Sequence, residues 1–434
     1  MNDLATPDKL RKLQRKFYRK AKEEPEFRFY ALYDKVCWKR TLWHAWRLVR
    51  RNGGAPGVDG VSLEAIEEEG PGAWLAELRE RLVEHEYEAS SVRRVEIPKR
   101  GGGKRPLGIP TVEDRVVQMA VKLVIEPIFE ADFEDEAHGY RPERSAKEAV
   151  QKVHTHLREG RTDVVDADLS SYFDTIPHDQ LIESVRKRVS DGTILELIKG
   201  WLKAPVVDED DDGTRRYESS GQEGTPQGGI VSPLLANIYF NRFLKFWRQQ
   251  NLEEKLDAKI VNYADDFVIL TRGRAEEALQ VTRWFMEAVG LKLNEEKTEI
   301  RDVRQQDLEF LGYQFGWEYN RGDGSRYLAA QPASSRIERL KSEVRRWLDR
   351  TLSAPWDYVC KKLNQKLEGW ANYFSYGTQS LAYRQVDHYV DGRVRAHLVR
   401  RHQHQGRGTS RWPGRRIFGE LGVTRLQGFL YGGS

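Results

Sequence analysis

The stretch that decides the fold is VNYADDFVIL, residues 261–270, in which two adjacent acids interrupt an apolar and β-branched run. Asp265 and Asp266 carry like charges, and burying either one is costly unless a cation or another partner compensates. Ala-Asp-Asp is also typical of an ordinary tight turn between two strands. The choice between a plain turn and a charged site depends on the rest of the sequence.

Composition indicates a large globular chain without a membrane or disulfide signal. It has 434 residues, 39% hydrophobic and 32% charged, which is enough for a large core and more than one domain. No apolar run approaches the ~18 residues of a membrane-spanning helix, and the polar start, MNDLATPDKLRKLQRK, lacks the apolar region of a signal peptide. The two cysteines, Cys37 and Cys360, suggest neither a disulfide framework nor a zinc site, which fits a reducing cytoplasm.

The net charge of +4 hides an uneven distribution along the chain. Residues 1–51 have a net charge of +9 and residues 392–434 one of +8, which leaves −13 for residues 52–391. Basic ends with interleaved aromatic residues suit a polyanion such as nucleic acid, although solvated helix faces would have the same composition. The acidic middle either holds metal-binding acids or reflects adaptation to a salty host.

Hydrophobic periodicity predicts a mixed α/β body up to about residue 325, followed by a helical module and a basic tail. Strands and helices intermix without a regular βαβ rhythm, which argues against a Rossmann sheet. PKRGGGKRPLGIP (98–110) is typical of a glycine hairpin and VDEDDDGTRR (207–216) of a solvated hairpin tip. The predicted helices are 8–51, 73–86, 112–130, 178–202, the later part of 224–247, 275–289 and 333–402. The predicted strands are 92–97, 163–168, the two arms of 259–270, and 310–315.

A further acid in an apolar strand lies nearly a hundred residues upstream of the pair. Asp168 ends DVVDAD (163–168) and leads into LSSYFD. An acid at a strand end and a pair at a strand turn can converge in one sheet, and three carboxylates suit two hard divalent cations. Two such ions ~4 Å apart can hold the attacking and leaving oxygens of a phosphoryl transfer, and they would relieve the repulsion within the pair.

Seven short motifs follow one another along the chain. In order they are GGAPGVDG (53–60), AHGYRPERSA (137–146), LSSYFD after Asp168, TPQGGIVSPLLANI (225–238), YADD (263–266), LNEEKT (293–298) and FLG (310–312). In this order they resemble the motifs of reverse transcriptases, with FLG similar to the primer grip, and the resemblance covers nearly the whole chain. The first two motifs are the more specific, because they resemble group II intron reverse transcriptases, in which an extra loop before the fingers contacts the template–primer.

The resemblance implies an α/β (α+β) right-hand polymerase, in which fingers and a palm with an antiparallel sheet precede an α-helical thumb and maturase domain. The implied domains are a basic helical N-terminal extension (1–50), fingers with the upstream template-contacting loop (51–160), a palm with the catalytic acids (161–325), a helical thumb and maturase domain X (326–395) and a basic DNA- or RNA-binding tail (396–434).

The resemblance also assigns the metal site. Asp168 and Asp265 are implied as metal-bridging catalytic ligands, Asp266 as a supporting acid, and Leu169 as a further metal contact. The implied cofactor is a pair of Mg²⁺ ions, with Mn²⁺ as the alternative ion.

A second group of residues is implied to bind the incoming nucleotide. Lys99 and Arg105, at the base of the glycine hairpin, would hold triphosphate oxygens as a point charge and a planar fork. Phe173 falls at the sugar-discriminating position, where its bulk could exclude a 2′-hydroxyl, although the same residue could be plain core. Gln227 would contact the nucleotide. Lys297 would neutralise phosphate or donate a proton to pyrophosphate, unless it is only a surface lysine.

Other residues are implied to contact the template, primer or RNA. Arg115 is either a helix-surface ion pair or a template contact, and His138 and Tyr140 are expected to pack within the fingers. LEGWANYFSYG (367–377) resembles the maturase-specific region, where Trp370, Tyr373 and Phe374 are more typical of a helix core than of RNA stacking. The remaining implied nucleic-acid contacts are Arg141, Gly312, Arg400, Arg401, Arg415 and Arg416.

The function implied is RNA-directed DNA synthesis on intron RNA, combined with maturase binding of a group II intron. The expected partners are group II intron RNA, an RNA template with a DNA primer, target DNA and dNTPs; no membrane is expected, and the chain would be a monomer or homodimer near a bacterial or archaeal nucleoid. The tail resembles the start of a DNA-binding region, with no HNH-type nuclease after it. Two alternatives remain open at this point: a domesticated relative in DNA repair or phage defence, and an RNA-binding splicing factor.

Overall fold

Helices dominate the molecule, and strands appear where the sequence alternates or becomes β-branched. The computed structural model describes residues 5–98, 104–209, 214–219, 221–226, 228–320 and 322–430. The helices are α1 (Asp8–Glu23), α2 (Tyr33–Val36), α3 (Lys39–Asn52), α4 (Leu63–Glu69), α5 (Pro71–Val83), α6 (Val112–Glu130), α7 (Ala146–Arg158), α8 (Tyr172–Thr175), α9 (His178–Arg186), α10 (Gly192–Lys203), α11 (Ser232–Gln249), α12 (Leu252–Lys255), α13 (Ala275–Ala288), α14 (Ser334–Arg350), α15 (Trp356–Tyr373) and α16 (Ser380–Arg401). The strands are β1 (Val92–Pro98), β2 (Lys104–Ile109), β3 (Asp163–Asp168), β4 (Val206–Glu209), β5 (Arg215–Glu218), β6 (Lys259–Tyr263), β7 (Asp266–Thr271), β8 (Glu299–Asp302), β9 (Leu308–Phe310), β10 (Tyr313–Tyr319) and β11 (Arg326–Pro332).

The described strands form three sheets. Their orders are β2-β1-β4-β5, β6-β7-β3-β8 and β11-β10-β9. Antiparallel pairing joins β1 to β2, β3 to β8 and β10 to β11, whereas β1 and β4 run parallel. The predicted α/β (α+β) class with an antiparallel sheet beneath the acids is therefore confirmed.

The chain divides into two compact units. The first comprises Met1–Arg144, Ala167–Phe267 and Glu276–Thr298, and the second comprises Ser145–Asp166, Val268–Ala275 and Glu299–Ser434. In the first unit α6 is apolar around most of its circumference, and 14 of its 19 residues are buried, as expected of a central core helix. No helix among the described residues combines the length and the apolar character needed to cross a membrane.

A buried carboxyl lies at the start of α6. Thr111 caps this helix, since its hydroxyl accepts a hydrogen bond from the backbone N–H of Asp114 at 3.1 Å. The Tyr87 hydroxyl donates to Asp114 Oδ1 and accepts from Trp201 Nε1 at 2.9 Å, which ties α6 to α10. Asp114 is only 1% exposed, and burial raises its pKa from 3.8 to about 6.

This raised pKa predicts a pH-dependent stability. A native carboxyl with a raised pKa keeps a proton that the unfolded chain releases, so its contribution is complete below about pH 3.8 and is lost as the pH rises through about 6. Between pH 5 and pH 7 we expect wild type to lose about 1 kcal/mol of unfolding free energy relative to Asp114→Asn, which cannot titrate. Urea unfolding of the wild type and of Asp114→Asn, each at pH 5 and pH 7, measures these unfolding free energies. The prediction is contradicted if the difference between the two proteins is the same at both pH values.

Two predicted segments are interrupted in the structure. The prediction of a single helix over 8–51 is wrong, because the chain is not helical throughout the stretch between α1 and α3. Phe29 there forms an extended bridge with Val189, and the buried Arg188 guanidinium donates hydrogen bonds to the carbonyls of Ala21 and Glu24. The continuous strand predicted over 310–315 is also wrong, since a turn separates β9 from β10.

The C-terminal boundaries also differ from those predicted. The boundary at 325/326 falls inside the β10–β11 hairpin, and the one at 395/396 falls inside α16. The tail is not a separate region, because its apolar residues join the hydrophobic core of α14–α16. Asp387 of α16 accepts hydrogen bonds from the backbone N–H groups of Leu426 (2.7 Å) and Gln427 (3.0 Å), which fixes the last turn of the chain onto that core. The tail residues buried in this core are Trp412, Ile417, Val423 and Leu426.

Candidate active site

The predicted acids lie at one end of the sheet formed by β6, β7, β3 and β8. Asp168 is the last residue of β3, and Asp265 and Asp266 lie where β6 turns into β7, the neighbour of β3. The Lys297 ammonium lies 3.0 Å from Asp168 Oδ2. Its hydrogen bond to Asp168, and then the charges of Asp168, Asp266 and Asp265, raise the pKa of Lys297. All three carboxylates therefore act on one cationic group.

The donor set suits hard divalent cations in an open arrangement. Among the described residues, no three His, Cys, Asp or Glu side chains form a closed metal cage. Mg²⁺ commonly takes one or two carboxylates and completes its shell with water and substrate phosphates, so a closed cage is not required. Asp168 already binds a cation in the form of the Lys297 ammonium, and partly buried Asp265 and exposed Asp266 offer further oxygens nearby.

The LNEEKT segment positions Asp168 as well as supplying the lysine. The Asn294 backbone N–H donates to the Asp168 carbonyl at 2.8 Å, and Asn294 Nδ2 donates to Asp168 Oδ2 at 3.3 Å. Leu169, the next residue, forms an antiparallel bridge with Leu293 and is 3% exposed. Because the Leu169 side chain is buried and apolar, only its backbone carbonyl could serve the predicted metal contact.

Residues of the AHGYRP segment contact and stabilise the YADD turn. Ala264 has a left-handed backbone (φ +62°), and Asn262 Nδ2 donates to its carbonyl at 2.8 Å. The backbone N–H of His138 donates to the Asn262 carbonyl at 2.9 Å, and Asn237 Nδ2 of α11 donates to the Gly139 carbonyl at 2.7 Å. A Cβ on Gly139 would lie 2.3 Å from the Ala264 nitrogen, so only glycine permits this approach. His138 is buried here, as predicted.

A cleft of about 400 Å³ opens beside Phe173 in the same unit. The Phe173 ring is 8% exposed and packs edge-on against Tyr172 and Tyr140. Gly228 and Gly229 also line the cleft, and Gly228 (φ +120°) packs so closely that a Cβ would lie 2.1 Å from the Gly108 carbonyl oxygen. The lining residues are Ile97, Leu107, Tyr140, Phe173, Gly228, Gly229, Ser232 and Pro233.

Three of the predicted nucleotide contacts cannot be placed against this cleft. Lys99 and Gln227 lie outside the described residues, as does the side chain of Arg105. Gly228, which follows Gln227, lines the cleft, and Thr225, two residues before Gln227, donates its N–H to the Phe173 carbonyl at 2.6 Å. The nucleotide roles of these three residues stay predictions.

Two of the predicted nucleic-acid contacts are buried arginines with internal partners. Arg115 is 6% exposed and donates to the carbonyls of Ala55 (2.8 Å) and Gly53 (3.4 Å), so it holds the GGAPG loop and the alternative of a helix-surface ion pair is wrong. The Arg141 side chain is 4% exposed and pairs with the Glu130 carboxylate. Neither guanidinium is displayed on the surface, because each one satisfies groups inside the fold.

In the second unit the FLG turn is fixed by residues at the end of α15 and just before α14. Leu311 (φ +51°) and Gly312 (φ +80°) are both left-handed, and a Cβ at Gly312 would lie 2.8 Å from Arg336 Nε. The Tyr373 hydroxyl, at the end of α15, donates to the Leu311 carbonyl at 2.8 Å, and the Ala333 N–H donates to the Gly312 carbonyl at 2.9 Å. The maturase-like segment thus positions the turn that resembles a primer grip.

The aromatic and arginine residues of the C-terminal third divide between core and surface. Phe374 is buried and contacts Trp370, as a helix core requires, whereas Tyr373 is 43% exposed. Among the tail arginines, Arg400 pairs with Asp349 at 2.6 Å, Arg401 donates to the Ala354 carbonyl, Arg416 pairs with Glu420, and Arg415 is exposed. Their predicted contacts with nucleic acid stay predictions.

Sequence reasoning missed three asparagines that organise the site: Asn237, Asn262 and Asn294. Asn237 and Asn262 are 6% and 1% exposed. A polar amide within the apolar runs SPLLANIYF and KIVNY is the available signal, because a buried amide needs hydrogen-bond partners.

Family comparisons agree with the motif order. Residues 97–315 match the family described as reverse transcriptase (RNA-dependent DNA polymerase), and residues 337–418 match the group II intron maturase-specific domain. The chain is 35% identical to protein YkfC of Escherichia coli K12, over 69% of this chain and 87% of that protein.

Other similar proteins are encoded by introns or belong to telomerase. The chain is 30% identical to the group II intron-encoded protein LtrA of Lactococcus lactis, over 59% of this chain, and it spans only half of that relative's length. It spans 41% of a 91 kDa protein in a cob intron of Schizosaccharomyces pombe, with 28% identity over 71% of this chain. A Candida albicans telomerase structure has a TM-score of 0.44 and 14% identity, covering 82% of this chain and 68% of that one.

Proposed function

Because the chain belongs to the reverse transcriptase family of RNA-dependent DNA polymerases and carries a group II intron maturase-specific domain, we propose that it copies intron RNA into cDNA and binds that RNA to assist splicing and retrohoming. The observation that carries the proposal is the position of the acids: Asp168 ends β3, Asp265 and Asp266 lie where β6 turns into the neighbouring β7, and the Lys297 ammonium is 3.0 Å from Asp168 Oδ2. Binding alone would not need three acids at one sheet end, whereas nucleotidyl transfer does.

Metal binding follows from the donor set. Asp168 and Asp265 would hold two Mg²⁺ ions, with Asp266 supporting them, the Leu169 carbonyl as a further oxygen ligand, and Mn²⁺ as the alternative ion. When bound, such ions stabilise the negative charge on the attacking and leaving oxygens of phosphoryl transfer. The hydrogen bonds from Asn294 to Asp168 and from Asn262 to Ala264 keep both acids in place.

The chain's own residues would orient the reactants. The 3′-hydroxyl oxygen of the primer would attack the α-phosphorus of a dNTP and lose its proton to water, and the new phosphodiester bond would form as the bond to pyrophosphate breaks. The exposed Lys297 ammonium, with its raised pKa, stays protonated at neutral pH and is suited to neutralise phosphate or to give its proton to pyrophosphate. Phe173 would lie against the sugar, where its buried ring leaves no room for a 2′-hydroxyl.

The proposed partners are group II intron RNA, an RNA template with a DNA primer, target DNA and dNTPs. Support comes from the basic residues 1–51 and 392–434, because phosphate contacts from Lys and Arg supply most of the affinity for a nucleic-acid backbone. The exposed residues of α1 include Lys9, Lys12, Arg15, Lys16 and Arg19.

Recovery of RNA crosslinked to the protein in its host tests the maturase proposal. We expect one highly structured group II intron transcript to be enriched at least tenfold over other RNAs. Splicing of that intron at limiting Mg²⁺ should then accelerate when the protein is added. A diverse RNA population without such a transcript would overturn the maturase proposal and leave polymerase activity to be judged separately.

A further inference from the structure

We propose that Tyr140 is a positioning residue that holds the Phe173 ring and thereby sets the discrimination between dNTPs and NTPs. This inference rests on the proposed function, because it concerns the substrate of the same site. Tyr140 belongs to the AHGYRP segment, whose sequence predicts only packing within the fingers. In the structure it also lines the cleft beside Phe173, where the proposed function places the nucleotide sugar.

The first argument is the contact between the two rings. The Tyr140 and Phe173 centroids are 6.3 Å apart with an interplanar angle of 77°, an edge-to-face arrangement. Tyr172 also contacts Phe173, with centroids 5.7 Å apart at 61°. Tyr172 is 3% exposed, whereas Tyr140 is 48% exposed and lines the cleft. Phe173 thus contacts one ring in the core and one ring that borders the cleft.

The second argument is the backbone of Tyr140. Its φ of +58° lies in the left-handed region, which is unfavourable for a bulky side chain and persists only where the surroundings impose it. The residues on both sides impose it here, since Asn237 holds the Gly139 carbonyl and the buried Arg141 holds Glu130. A strained backbone that aims an aromatic ring into a cleft is typical of functional sites.

Together these contacts join two parts of the site. Gly139 packs against Ala264 in the turn that carries the catalytic acids, and Tyr140, the next residue, packs against Phe173. One short segment therefore sets both the position of the acids and the position of the sugar-facing ring. Loss of the Tyr140 ring would free one side of Phe173, and a 2′-hydroxyl could then be accommodated by a small movement of that ring.

The test compares incorporation of dCTP and CTP opposite a templating G on an RNA template with a DNA primer. The measured quantity is the ratio of kcat/KM for dCTP to that for CTP. We expect Tyr140→Ala to lower this ratio roughly three- to tenfold, the effect of losing one aromatic pair. Tyr140→Phe should keep the wild-type ratio, because it keeps the ring. Tyr30→Ala, which removes a 73% exposed tyrosine of the same unit, is the matched control and should also keep it.

A double variant distinguishes positioning from direct contact with the substrate. If Tyr140 acts through Phe173, the ratio for Tyr140→Ala/Phe173→Ala should equal that for Phe173→Ala alone. A double variant with a clearly lower ratio, or a Tyr140→Ala protein with the wild-type ratio, would overturn the proposal. Should Tyr140→Ala not fold, Tyr140→Asn replaces it, since Asn tolerates the left-handed backbone and lacks the ring. Each outcome is a ratio of two kcat/KM values measured on one active protein. It therefore does not depend on the separate test of whether Asp265 and Asp266 are essential.

Discussion

Replacement of Asp265 and Asp266 together by Ala is expected to abolish cDNA synthesis and to leave RNA binding within about twofold of wild type. The double variant removes the oxygens that would hold the divalent cations, and with them the main source of charge stabilisation in phosphoryl transfer. We expect primer extension to fall by at least about a thousandfold, on the scale of losing a central electrostatic contribution. Primer extension on an RNA template and filter binding of the same RNA measure the two quantities.

The matched control for this pair is Glu68→Ala/Glu69→Ala. It also removes two adjacent acids, both of them exposed on α4 and away from the sheet that carries the site. The control should extend primers at the wild-type rate. Wild-type-like synthesis by the Asp265 and Asp266 variant would remove the basis for the polymerase proposal, whereas a parallel loss of RNA binding would indicate misfolding.

Replacement of Arg141 by Ala is expected to lower the free energy of unfolding by about 3–5 kcal/mol. The Arg141 guanidinium is almost fully buried and donates to both oxygens of Glu130, with Nη2 at 2.6 Å from Oε1 and Nε at 3.2 Å from Oε2. It also donates to the carbonyls of Glu134 (2.7 Å) and Ala137 (2.8 Å). Its removal leaves the Glu130 charge, the buried Ala137 carbonyl and the partly buried Glu134 carbonyl without their donor, which is the situation in which the loss of a buried ion pair is most costly.

Arg144 provides the control three residues further along the chain. It pairs with Asp135 at 2.8 Å, but the Asp135 side chain is 81% exposed, so Arg144→Ala should cost less than about 1 kcal/mol. Urea or thermal unfolding of both variants measures the difference. Equal destabilisation by the two changes would show that Arg141 is not the anchor of the AHGYRP segment.

The local sequence pattern was sufficient to predict those helices and strands whose structure depends mainly on their own residues. The helix predicted over 112–130 matches α6, an apolar run that begins after the Thr111 cap, and the strand predicted over 163–168 matches β3, in which buried Val164, Val165 and Ala167 lie between acids. The motif order was sufficient for the family, and it placed Asp168, Asp265 and Lys297 in one site.

Long-range contacts explain what the sequence did not predict. The break after α1 depends on Arg188, more than 160 residues away, and the burial of Arg115 depends on a loop of glycines whose carbonyls need donors. The left-handed Leu311 carries no turn signal of its own, since its conformation is stabilised by the hydroxyl of Tyr373. In each case the deciding partner is remote in the chain, so periodicity and propensity could not reveal it.

The ion pair between Lys297 and Asp168 places a positive charge on one of the oxygens proposed to bind a divalent cation. The ammonium contacts Oδ2 of Asp168, so a cation that used this oxygen would compete with it, and its apparent affinity would be reduced by the fraction of molecules in which the pair is closed. The same lysine offsets the mutual repulsion of the three carboxylates. It is therefore an internal counter-charge, which lowers the cost of holding three acids at one end of a sheet.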